Sequence, residues 1–239
     1  MTTLGGAPMM KLAGSVREGV FVYASGWFHR ASPMRTFAFP LAFLVFSTIS
    51  AAADAPLKVG SNLPGPFHPY NVTGPHKQRF HCPVSDHGLE PMVLIFYKNI
   101  DFSDPLPNLL KRLDAAIDKN MDLRLGAFVT FLPDNLSDVL GSKEDNQDVN
   151  SKNDDARLEM EKKIEQNAAD IKLKHVVLGL DNKSDVAKYG LRDDNLITVV
   201  LYVKLKIAAV YALPKSDFTD AAVEKIMTDV ADKLGAKRK

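Results

Sequence analysis

Two stretches of this 239-residue chain carry side chains capable of chemistry. The first is RFHCPVSDHG, Arg79 to Gly88, which holds the only cysteine, Cys82. Cys82 and Ser85 form a C-x-x-S arrangement, the monothiol form of a redox pair, and His81 or His87 could lower the thiol pKa if close by and protonated. Four of the six histidines, His68, His76, His81 and His87, fall within twenty residues of one another and of Cys82. Imidazole with thiolate suits copper or zinc, so His81, Cys82 and His87 are a candidate ligand set. A third reading is a small buried thiol, since free cysteine is among the most buried residue types. A lone cysteine excludes an intrachain disulfide. If the chain is an enzyme, these residues make it a thiol-based oxidoreductase, with Cys82 and Ser85 as the catalytic candidates.

The second stretch follows the apolar run MVLIFYK, Met92 to Lys98, and contains Asp101, Ser103 and Asp104. An apolar run behind a proline, followed by a polar turn and a helical pattern, reads as a central strand feeding a helix. The carboxyl end of such a strand opens onto a crevice, and the next helix offers its positive N-terminus there. Asp101 and Asp104 could form a carboxylate pair, although Asp104 is expected to cap the following helix with Pro105 at its first position. This loop has no thiol.

These candidates need a scaffold, and the rest of the sequence supplies one. Residues 54–90 are rich in Pro, Gly and His and read as irregular structure with short extended pieces. Leu106, Leu109, Leu110, Leu113 and Ile117 recur at helical spacing. Leu123 to Leu132 reads as a strand, and 133–155, dominated by Asp, Asn, Ser and Lys, as a mobile surface insertion. Met160, Ile164, Ala168 and Ile171 mark a second helix, and His175 to Leu180 a third strand. A helical turn at Ser184 to Tyr189 ends at Gly190. Ile197 to Val203 and Ile207 to Leu213 read as a hairpin. A last helix, capped by Ser216 or Thr219, carries the stripe Val223, Ile226, Met227, Val230 and Leu234 and is closed by Gly235. Strands alternating with helices predict an α/β fold, a central mixed sheet with helices on both faces, spanning 91–236.

AKYGLR, Ala187 to Arg192, resembles the A-x-K-Y-G-I segment of thioredoxins, and ITVVLY, Ile197 to Tyr202, falls where their next strand lies. LKVGSNLPGPF and the extra strand and helix between Leu123 and Lys174 resemble the redoxin and peroxiredoxin branch. The resemblance implies a thioredoxin-like fold over nearly all of the chain after residue 53. It also implies that the usual active-site cysteines are gone. The W-C-x-x-C positions correspond to Ile100 through Asp104, with Asp101 and Asp104 in place of the thiols. FYKNIDFSDPL is similar to the peroxiredoxin loop F-Y-x-x-D-F-T-x-x-C with one insertion, which puts Ser103 at the threonine and Leu106 at the peroxidatic cysteine. Ile197 matches the cis-proline position. A carboxylate cannot attack a disulfide or peroxide as a thiolate does, so the implied role is a binding or atypical redox-associated protein.

MRTFAFPLAFLVFSTISAAADA, from Met34, has a basic residue, an apolar stretch from Phe37 to Ile49 and the small residues Ala51, Ala52 and Ala53. This pattern predicts a signal peptide at 34–53, cleaved after Ala53, and an exported protein, periplasmic or secreted. The apolar stretch falls short of the roughly 20 residues that span a membrane, although a signal anchor is the alternative. Residues 1–33, with the only tryptophan, Trp27, are expected to be untranslated or disordered. Removing 1–53 takes away four basic residues and Glu18, so the formal charge moves from +1 to −2. That balance gives no electrostatic basis for binding nucleic acid. The expected partner is a protein or small molecule. Sequons stand at Asn71, Asn135 and Asn182.

Overall fold

The computed structural model describes residues 57–134, 136 and 147–237. The expected signal segment, the residues before it, Asn135 and residues 137–146 of the polar insertion lie outside the described residues. Six strands form one sheet in the order β1-β4-β3-β2-β5-β6. These are β1 (Tyr70–Asn71), β2 (Met92–Tyr97), β3 (Gly126–Phe131), β4 (Val177–Leu180), β5 (Ile197–Val203) and β6 (Lys206–Leu213). Strands β2, β3 and β4 run parallel, while β5, β6 and β1 are antiparallel to their neighbours. The run MVLIFY is therefore a middle strand, and all six of its residues are buried. Such a strand needs apolar side chains on both sides, which is why the sequence shows no polar alternation there.

The two faces are covered differently. Val93, Ile95 and Tyr97 point into a core shared with α2 (Leu106–Lys119), α3 (Gln147–Asp170) and α4 (Asp220–Lys237). The expected stripes on all three helices fill that core: Leu106, Leu109, Leu110, Leu113 and Ile117, then Met160, Ile164 and Ala168, then Val223, Ile226, Val230 and Leu234. Met92, Leu94 and Phe96 face the other way, onto Leu63, Phe67, Cys82, Val84, Val186 and Tyr189. That face is covered by the five-residue helix α1 (Pro83–His87), a 3₁₀ turn at Ala187–Tyr189 and the N-terminal segment. Helices thus lie on both faces, but the three long ones share one. Buried Asp114 ties α2 to the chain entering β4: its Oδ1 accepts from the backbone N–H groups of Lys174, His175 and Val176 at 3.1, 2.7 and 3.0 Å.

Three local expectations are corrected. Helix α3 begins at Gln147, within the stretch read as irregular to residue 155. Its first turns are weak helix formers, and the buried residues that hold it start only at Met160. Asp104 does not cap α2: the cap position falls on Pro105, without a side-chain cap bond, and Leu106 N–H donates instead to Ser103 O at 3.1 Å. Gly235 lies inside α4, which runs on to Lys237, while Thr219 Oγ1 accepts from Ala222 N–H at 3.4 Å at the start of that helix. Among the described residues, no helix is long and apolar enough to cross a membrane.

Candidate functional site

The loop from Lys98 to Pro105 joins the carboxyl end of β2 to α2, where the sequence placed it. Several of its polar groups are engaged. Asp101 pairs with Lys163 of α3 and accepts from Asn99 Nδ2 at 3.0 Å. The lysine and then the amide hold the exposed carboxyl below the usual carboxylate range. Burial raises the pKa of the Tyr97 phenol, against the lowering influence of the Ser103 hydroxyl. Asp104 is exposed, Leu106 is 0% exposed, and Ile197 opens β5, buried and paired with Tyr97 and Leu213. Phe102 packs on Phe131 with ring centres 5.5 Å apart.

Beside this loop a cleft of ≈ 300 Å³ is lined by Lys98, Leu132, Lys183, Gly190, Leu191 and Arg192, among others. Its cations are partnered: Lys98 with Asp193 and the Arg192 carbonyl, Lys183 with Asp134, and Arg192 with Asp194. Asp181, just past β4, is 1% exposed, and its Oδ2 has no hydrogen-bond partner among the described residues. Burial pushes its carboxyl up to about 7, against the N–H of Asn182 that its Oδ1 accepts at 2.9 Å.

Cys82 sits elsewhere. It is 4% exposed and packs in the core opposite α2, among residues from the amino end of β2. It occupies the N-cap of α1, where its Sγ accepts from Ser85 N–H at 3.3 Å and from Ser85 Oγ at 3.2 Å. The C-x-x-S spacing is thus the spacing of a helix cap. Burial, with the neighbouring Cys82 adding to it, pushes the Tyr189 and Tyr202 phenols up. His87 Nε2 is bonded to Pro91 O at 2.9 Å, and His68 is exposed. The expected set of His81, Cys82 and His87 is therefore not gathered around one point. Among the described residues, three ligand atoms within 4.8 Å of one another come instead from His76, His81 and Asp86. Asn71, 3% exposed, is too buried to carry a glycan in the folded chain.

No family model matches the sequence, and no curated protein matches it. Solved structures do resemble the chain. One is a yeast mitochondrial 1-Cys peroxiredoxin, at 14% identity, 76% of this chain, 78% of that one and a TM-score of 0.50. The fold is thioredoxin-like. Peroxidoxin BcpB from Mycobacterium tuberculosis is similar at 14% identity, over 77% of this chain and 99% of that one, with a TM-score of 0.49. The thioredoxin domain of a thiol-disulfide oxidoreductase from Bacteroides vulgatus is similar at 13% identity, over 72% and 99%, with a TM-score of 0.43. At such identities the likeness speaks for the fold alone.

In this thioredoxin-like fold the junction of β2 and α2 bears Asp101, Ser103, Asp104 and Leu106, and the single thiol lies across the sheet. Sequence reading missed Asp86 and Asn71 as members of a polar cluster. His76, His81 and Asp86 are spaced at intervals of five, which matches no ligand motif. A backbone reversal brings them together: Asn71 N–H donates to Arg79 O at 2.9 Å and Gln78 N–H to Asn71 O at 2.7 Å, folding 72–78 back toward α1.

Proposed function

We propose that this thioredoxin-like domain is an exported binding protein that runs neither thiol–disulfide exchange nor peroxide reduction at the mouth of the fold. The observation that supports this most is Leu106, wholly buried at the head of α2, at the position the resemblance gives to a peroxidatic cysteine. The neighbouring carboxylates are not substitutes, since they lack the nucleophilicity of a thiolate toward sulfur or peroxide. A partner, protein or small molecule, would sit in the cleft between Lys98, Leu132 and Arg192, where folds of this class receive ligands at the carboxyl ends of parallel strands.

The competing reading is a monothiol oxidoreductase working through Cys82, favoured by the Ser85 hydroxyl 3.2 Å from its sulfur. Insulin-disulfide and peroxide reduction assays separate the two. The binding reading expects no turnover and a thiol that resists alkylation until the chain is denatured. Turnover comparable to a dithiol redoxin, abolished in Cys82→Ser, overturns it.

A further inference from the structure

The corner where α1 meets the amino ends of β2 and β3 contains a cleft of ≈ 240 Å³ lined by Asn71, His76, His81, Asp86, His87 and Gly126, among others. Two polar atoms of these lining residues are buried without a hydrogen-bond partner among the described residues: Asn71 Oδ1, on a side chain 3% exposed, and His81 Nε2. Buried polar atoms are seldom left unbonded in native proteins, and one that is needs a ligand, a water or an ion to explain it.

We propose that His76, His81 and Asp86 form a binding site for a divalent transition-metal ion of the zinc type, separate from the mouth of the fold and independent of Cys82. The distances carry the argument. His76 Nε2 lies 3.7 Å from Asp86 Oδ2, and His81 Nε2 lies 3.6 Å from Asp86 Oδ1. Both are too long for N–H···O hydrogen bonds, which cluster near 2.9 Å. Two ligands of one tetrahedral ion with bonds of about 2.0–2.1 Å stand roughly 3.4 Å apart, close to what is seen. Both imidazoles turn the same nitrogen, Nε2, toward the same carboxylate, and their rings stack with centres 3.5 Å apart at an interplanar angle of 24°. An ion bonded to both nitrogens lies in the plane of each ring, so loading widens that angle.

Two imidazoles and one carboxylate suit zinc better than calcium or magnesium, which take oxygen ligands. Three protein ligands also leave a fourth position for water, the arrangement of zinc sites that stay open. Asn71 lines the same cleft, and its unpartnered Oδ1 can accept from a water bound there.

The test uses the untagged chain, calorimetric titration with ZnCl₂, and cobalt(II) as a spectroscopic probe. One zinc per chain and the visible bands of tetrahedral cobalt are expected. Asp86→Asn, a nearly isosteric change at an exposed position, and His76→Ala each weaken zinc binding at least about tenfold. Cys82→Ser leaves affinity and spectrum unchanged, and circular dichroism confirms the fold of every variant. Absence of stoichiometric binding overturns the proposal. So does binding that survives both Asp86→Asn and His76→Ala, or that disappears in Cys82→Ser.

Discussion

At the carboxyl end of β2, Tyr97, Leu106, Phe131 and Ile197 pack to complete or nearly complete burial, whereas at its amino end Asn71 Oδ1 and His81 Nε2 are buried without partners. Redoxins place their chemistry at the first of these ends. Here that end is finished largely like a core, with Asp101, Asn99 and Lys163 bonded to one another on its surface. The other end holds the stacked imidazoles and the open cleft. The contrast teaches that neither position within a fold nor an unmet polar atom marks a site alone. Among the described residues, Asp181 Oδ2 and Asn182 Oδ1 are unpartnered at the carboxyl end too, but only at the amino end do such atoms coincide with gathered ligand atoms.

The comparison can be broken most directly at Leu106. Leu106→Ala removes a wholly buried side chain and is expected to cost about 2–5 kcal/mol in denaturant unfolding with an unchanged slope. A loss below about 1 kcal/mol would mean that the mouth is loosely filled.

Asp181 and Asn182 are polar exceptions at the same end, each with a buried oxygen lacking a partner among the described residues, and Asp181 makes stability depend on pH. Its folded carboxyl holds a proton up to about pH 7, while the unfolded one releases it near 3.8. Between those values the folded chain binds more protons, so stability falls as pH rises from about 4 to about 7 and is flat above that, a change on the order of a few kcal/mol. Thermal melts across this range should show the decline, and Asp181→Asn should flatten it.

Gly126→Ala probes the opposite end. An added Cβ would come 2.6 Å from His87 Cε1, on a ring held to Pro91 O. The ring must shift, with an expected loss of about 1–3 kcal/mol in a melting experiment. The smallest effect is expected at Asp101→Asn, within about 0.5 kcal/mol, because the pair with Lys163 is exposed. A larger loss there would show that the loop is more tightly coupled to α3 than its surface pairing implies.

Much of the fold was legible because its cues are local. MVLIFY, short and apolar behind a proline, reads as a strand buried on both sides, and the leucines of α2 repeat at the helical period. The beginning of α3 was not legible, since Asp, Asn and Ser around residues 148–155 favour irregular chain and only the later residues Met160 and Ile164 commit the helix. Asp104 misled because Pro105 takes the cap position itself. The His76, His81 and Asp86 cluster had no sequence signature: its members meet through a chain reversal at 71–79 and the first turn of α1, and neither leaves a ligand spacing. Cys82 and Ser85 had a familiar spacing, but helix capping uses the same interval of three.

The short stretch Gly60–Leu63 lies along the outer side of β6, with Gly60 N–H donating to Ile207 O at 2.8 Å and Ile207 N–H to Ser61 O at 2.9 Å. Among the described residues, nothing continues that cover over Ala208–Leu213, while the opposite border of the sheet is only the two-residue β1, itself bridged to Phe80. Among the described residues, the outer main chain of Ala208–Leu213 is therefore a long unsealed seam of donors and acceptors, guarded at a single end by Lys204 and Lys206. Self-assembly by strand addition, when the protein is concentrated or heated, should begin along that seam rather than at the two-residue β1.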